Sequence, residues 1–88
     1  MRVIITEQFE KATIKLKNKQ LEERLETIIT SVLEVDTMHD IKNLEKLTGF
    51  KSYFRIRVGN YRIGLKIENN EVIFLDIGHR KEIYKRFP

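Results

Sequence analysis

Apolar positions along this chain follow a helical period in the first half and a period of two in the second. Val3, Ile4 and Ile5 form a short run that ends at Thr6-Glu7, a hydroxyl N-cap followed by an acid, so a strand is expected to turn directly into a helix. Phe9, Ala12 and Leu16 recur at helical spacing until the polar stretch Lys17-Asn18-Lys19-Gln20 interrupts them. A second, longer helix follows. Leu21, Leu25, Ile28 and Val32 recur every three or four residues, Ile29, Leu33 and Val35 widen the stripe, and Glu22, Glu23, Glu26 and Thr30 lie opposite. Such a stripe can be a groove for a partner helix, but a chain of 88 residues needs it for its own core. From Asp36 to Ser52 the period lapses, and the stretch reads as an irregular or weakly helical loop.

Three strand signals come next: Tyr53 to Val58, Tyr61 to Ile67 and Val72 to Ile77. Gly59-Asn60 and Glu68-Asn69-Asn70-Glu71 separate them as short hairpin connections, which predicts an antiparallel meander. His79 to Pro88 is basic and reads as a short terminal helix or tail. The expected fold is therefore α+β in the order β-α-α-β-β-β plus that tail: a single, mostly antiparallel sheet with a helical hairpin on one face. Residues 1–88 are expected to form one domain, because halves of this chain would each bury too little apolar surface.

If Gly59-Asn60 is a two-residue turn, Val58 stands opposite Tyr61, Arg57 opposite Arg62 and Arg55 opposite Gly64. Arg55, Arg57 and Arg62 then share one face, while Phe54, Ile56, Val58, Tyr61, Ile63 and Leu65 share the other and are assigned to the core. Like charges directly opposite on a sheet destabilise it by up to about 1 kcal/mol. A bound anion relieves that repulsion, and a phosphodiester suits planar guanidinium forks. Gly64 is expected to leave room beside Arg55 for a base or sugar. The plainer alternative is a solvated hairpin face, although no acid occurs between Lys51 and Ile67.

Charge sharpens this picture. Residues 1–50 carry eight Lys/Arg against nine acids, and residues 51–88 carry nine against four, so the net +4 arises entirely in the C-terminal part. That asymmetry points to a polyanionic partner, nucleic acid before an acidic protein segment. With 41% hydrophobic and 34% charged residues the chain is globular in composition, not disordered. The absence of cysteine excludes disulfides, thiolate catalysis and Cys-based zinc sites, and two histidines are too few for a typical metal site, so neither metal nor cofactor is expected. No apolar run approaches the roughly 20 residues of a membrane span, and the N-terminus opens on a strand-like run; a cytoplasmic protein without membrane partners is expected.

The stretch Tyr53-Phe-Arg-Ile-Arg-Val-Gly-Asn-Tyr-Arg-Ile-Gly-Leu, then an apolar strand and Gly78-His-Arg-Lys-Glu-Ile-Tyr84, with Leu47-Thr48-Gly49 leading in, resembles the RelE/ParE superfamily of type II toxin–antitoxin toxins. The likeness spans nearly the whole chain and is most specific over residues 47–84. It implies a toxin whose RelE-like members cleave messenger RNA, commonly on the ribosome, while ParE-like members inhibit DNA gyrase. In the nuclease branch a basic pair on the strand opening the hairpin, an arginine on the returning strand, and an arginine and a tyrosine near the C-terminus form the active site. Those roles fall on Arg55 and Arg57, on Arg62, and on Arg80 and Tyr84. Having the full set favours the nuclease branch; a gyrase inhibitor and a non-catalytic RNA-binding member are the alternatives. The resemblance also implies a cognate antitoxin as partner, with sequence-specific DNA binding left to that antitoxin.

The chemistry implied is metal-independent: the ribose 2′-hydroxyl attacks the adjacent phosphorus, the 5′-oxygen leaves, and a 2′,3′-cyclic phosphate results. Arg62 and Arg80 can hold the non-bridging oxygens as charge develops, and Lys51, Arg55, Arg57, Lys66 and Lys81 can bind the RNA backbone. The base is open, since guanidinium does not release its proton near neutrality. Tyr84 is one candidate. His79 is another, because imidazole titrates near neutral pH, although alternation groups it with Ile73, Leu75 and Ile77, where it can simply cap the sheet edge. Tyr84 can likewise be a mere anchor of the tail beside Phe87. Glu45, in the expected loop, is a carboxylate within potential reach, and His39 reads as surface.

Overall fold

Strand β1 (Arg2–Ile5) gives way to helix α1 (Glu7–Leu16) at Thr6, in a computed structural model that describes residues 1–88. The Thr6 hydroxyl accepts the Phe9 N–H at 3.2 Å and donates to the Phe74 carbonyl at 2.7 Å, so one side chain caps the helix and ties it to the sheet. The polar interruption is a pair of caps: Lys17 closes α1 in the left-handed region at φ 51°, and Asn18 accepts the Leu21 N–H at 3.0 Å to open α2 (Lys19–Glu34). Phe9, Leu21, Leu25 and Val32 are buried against the sheet. Leu33 does not join them. It lies roughly 100° round the helix from Val32 and is 54% exposed.

The sheet has five strands in the order β1-β5-β4-β3-β2, with β2 (Leu44–Lys46), β3 (Tyr53–Val58), β4 (Tyr61–Glu68) and β5 (Glu71–His79). Only β1 and β5 are parallel, because the helical hairpin carries the chain to the far edge before the meander returns it beside β1. The α+β architecture matches expectation. The stretch 36–52 does not: it holds a single 3₁₀ turn (Met38–Asp40) and the edge strand β2, whose Leu44, Glu45 and Lys46 pair with Ile56, Arg55 and Phe54. Three residues are too few for a period to declare itself.

Hairpin β3-β4 has the expected register, Val58 to Tyr61, Arg57 to Arg62 and Arg55 to Gly64. Gly59 takes φ 59°, as the first position of a type II′ turn requires. Phe54, Ile56, Val58, Ile63 and Leu65 are buried beneath the helices, and Tyr61 packs at their margin. In β5, however, Gly64 pairs with Asp76 and Leu65 with Phe74, so Leu75 is an unpaired bulge residue. The alternation reverses there. Ile73 and Leu75 lie on the face away from the helices, and Ile77 and His79 on the helical side, which separates His79 from the group predicted for it.

The face away from the helices carries its own small core of Leu47, Ile83 and Phe87, with Tyr53 and Leu75 against it. A 3₁₀ turn (Ile83–Lys85) brings the C-terminal tail across the sheet, and an ion pair holds it: Arg86 Nε donates to Asp76 Oδ2 at 2.8 Å, and the same guanidinium reaches the Ile77 carbonyl at 3.0 Å. Asp76 is 1% exposed. The space above Gly64 is therefore not open to a base or sugar, because a Cβ there would lie 2.7 Å from the Phe87 ring. Gly64→Ala is expected to cost about 1 to 3 kcal/mol by overpacking, read from urea unfolding, and to cost much less in a Phe87→Ala background.

Candidate functional site

Beyond the tail, the open part of this face forms a hollow of about 400 Å³ lined by Glu45, Arg55, Arg57, Arg62, Arg80, Lys81 and Tyr84. Each side chain arrives for a local reason. Arg55 and Arg57 alternate on β3 with the buried Phe54, Ile56 and Val58; Arg62 faces Arg57 across the hairpin; Glu45 faces Arg55 from β2. Arg80 leaves the end of β5 with its backbone N–H bonded to the Asn60 carbonyl at 2.8 Å, which fixes it beside the hairpin turn. Tyr84 sits on the tail turn between the buried Ile83 and the Arg86 anchor. A roomier hollow, about 610 Å³, lies between the helices and contains none of these groups.

Glu45 is the only carboxylate among five cations. Arg55 bonds it at 3.3 Å and donates through its other nitrogen to the Tyr84 hydroxyl oxygen at 2.7 Å, with its guanidinium 5.5 Å from the Tyr84 ring centre. Burial alone would lower the Arg55 pKa; Glu45 and then Tyr84 outweigh it, and the pKa is raised above the ordinary arginine value. Arg55 is thus held as a permanent cation between an acid and a phenol. Arg57 is not consumed in the same way. Its Nε lies 3.9 Å from Glu45 Oε1, which has no hydrogen-bond partner, so the planar fork stays available. Arg62 donates to the Gly59 and Tyr61 carbonyls at 2.8 Å, which orients it without neutralising it. None of the ion pairs in the molecule involves Arg62, Arg80 or Lys81. The hollow is a concentrated positive field with one internal counter-charge.

The other residues singled out from sequence lie elsewhere. His79 is on the helical side, its ring edge-on to Tyr61 at 5.8 Å and its Nδ1 accepting the Lys81 N–H at 3.2 Å. Lys66 pairs with Glu68 at 3.3 Å and stands over Tyr53 at 5.7 Å, and Lys51 is exposed before β3. His39 is exposed in the 3₁₀ turn. Glu45 was legible only as a loop carboxylate, since its place in the hollow follows from the pairing of β2 with β3.

Residues 3–84 match the family model described as the ParE toxin of the type II toxin–antitoxin system parDE. Over the full length of both chains, the protein is 36% identical to Toxin RelE3 of Methanocaldococcus jannaschii. It superposes on a chain of the RelB–RelE antitoxin–toxin complex from Methanococcus jannaschii with a TM-score of 0.81 and 32% identity, covering 97% of this chain and 99% of that one. A chain of the RelBE2 toxin–antitoxin complex from Mycobacterium tuberculosis shares the fold, with a TM-score of 0.58 and 20% identity over 90% of this chain and 96% of its own. No helix of the protein is long and apolar enough to cross a membrane. With the family model spanning nearly the whole chain and a relative above 30% identity along all of it, this chain belongs to the RelE/ParE superfamily and is a type II toxin–antitoxin toxin.

Proposed function

We propose that this toxin is a metal-independent endoribonuclease acting on messenger RNA at the ribosome. The observation that carries this reading is the convergence of Arg55, Arg57, Arg62 and Arg80 with Tyr84 on one hollow. In the proposed step the 2′-hydroxyl attacks the neighbouring phosphorus and the bond to the 5′-oxygen breaks, leaving a 2′,3′-cyclic phosphate. Arg57, Arg62 and Arg80 hold the non-bridging oxygens, where negative charge grows in the transition state. Tyr84 in its phenolate form, favoured by the hydrogen bond that its oxygen takes from Arg55, accepts the 2′-hydroxyl proton and becomes the neutral phenol. Lys81, the one lining cation that is not a guanidinium, supplies the proton to the departing 5′-oxygen. Glu45 orients Arg55, and His79, outside the hollow, has a structural part only. A cognate antitoxin is the protein partner, as in the solved complex of the archaeal relative.

Sequencing the 5′ ends of cellular RNA after brief induction tests the substrate: cuts in register with codons are expected, and an unchanged 5′-end profile would reject it. Binding to an uncleavable RNA should fall steeply with salt, and each alanine at a lining arginine should flatten the slope of log K against log salt by roughly 0.7. The matched family model, being that of ParE toxins, favours inhibition of DNA gyrase as the second reading. A supercoiling assay with purified gyrase separates them, since the nuclease reading expects no inhibition.

A further inference from the structure

The arginine hollow continues into a second one of about 350 Å³, which lies between Leu47, Phe50 and Phe87 and shares Arg55 and Tyr84 with the first. Its character is different, aromatic and apolar where the first is cationic. Phe50 leaves 48% of its surface in water and Tyr84 45%. An aromatic side chain this exposed is normally a loose one, yet Phe50 is held at three points. Lys46 Nζ donates to its carbonyl at 2.6 Å, its own N–H donates to the Leu47 carbonyl at 3.4 Å, and its ring meets Tyr53 edge-on at 6.5 Å, Tyr53 in turn bracing Phe87 at 5.9 Å. The backbone at Phe50 is thus pinned and its ring braced at one edge, with about half of the residue open to water beside the cationic hollow.

A nucleotide has that same pairing of features, an anionic phosphate joined through one ribose to an apolar planar base. We infer that the second hollow takes the nucleobase adjoining the scissile phosphate, stacked against Phe50, an inference that rests on reading the first hollow as a phosphate site. Phe87 fills the space over Gly64, so the base is displaced sideways into this hollow. Stacking accepts any base, and Thr48 is the only uncharged polar side chain besides Tyr84 in the lining, so the subsite reads flatness and area more than hydrogen-bonding edges.

The test uses a fluorescein-labelled six-nucleotide RNA with methylated 2′-hydroxyls, which binds without being cleaved. Phe50→Ala should weaken its binding by roughly 5- to 100-fold, the range for losing one base stack, and Phe50→Tyr should restore it. Moving an abasic nucleotide along the RNA should reveal one position at which wild type and Phe50→Ala bind equally. Because the chain contains no tryptophan, Phe50→Trp supplies a single reporter whose emission should be quenched when the RNA binds. Equal binding by the wild type and Phe50→Ala, or tryptophan emission indifferent to bound RNA, overturns the subsite, and leaves the phosphate reading intact if Arg80→Ala still flattens the salt dependence of binding. A salt slope that Arg80→Ala leaves unchanged overturns both.

Discussion

Arg86→Ala is expected to destabilise the protein by about 3 to 5 kcal/mol, the cost of leaving a buried carboxylate without its partner. Asp76 is 1% exposed and loses both guanidinium hydrogen bonds, keeping only the N–H of Ile77 at 2.8 Å. The reciprocal change is milder. Asp76→Asn leaves Arg86, whose side chain is 47% exposed, free to rehydrate, so about 1 to 2 kcal/mol is expected. For a domain whose total stability is on the order of 5 to 15 kcal/mol, the arginine variant should lose at least about 12 °C in Tm by calorimetry. Equal losses for the two variants would contradict the asymmetric burial. The tail that this pair holds also carries Tyr84, so Asp76→Asn should lower the cleavage rate more than its small stability loss explains.

The second large effect is on activity and leaves the fold intact. Arg62 and Arg80 approach the hollow from different elements, and neither is paired with a carboxylate. Removing one donor aimed at developing phosphoryl charge costs roughly 10²- to 10³-fold in kcat, so Arg62→Ala with Arg80→Ala should abolish detectable cleavage and growth arrest. Stability should change by no more than about 1 kcal/mol, because Arg80 is exposed and relief of the Arg57–Arg62 repulsion offsets the loss of the Arg62 hydrogen bonds to the Gly59 and Tyr61 carbonyls. Undiminished toxicity in the double variant would reject the site.

The hairpin arginines were legible because a two-residue turn fixes register: with Gly59-Asn60 identified, the places of Arg55, Arg57 and Arg62 follow by alternation. The helices were legible from stripes of three to four turns and from Thr6. What escaped depended on contacts distant in sequence. Glu45 enters the hollow through a three-residue edge strand, too short to show a period. A bulge at Leu75 reverses the phase of β5, and a local pattern of Ile73, Leu75, Ile77 and His79 carries no sign of it. Gly64 read as an opening, and only the folded tail puts Phe87 into it. The Arg55–Tyr84 hydrogen bond joins groups 29 positions apart, and no local pattern announces it.

The most direct measurement is the chemical form of the RNA ends after incubation of purified toxin with ribosome-bound messenger. Fragments ending in 2′,3′-cyclic phosphate, produced by the wild type and absent with the Arg62→Ala, Arg80→Ala variant, are the predicted result. Intact messenger accompanied by loss of gyrase supercoiling would contradict it.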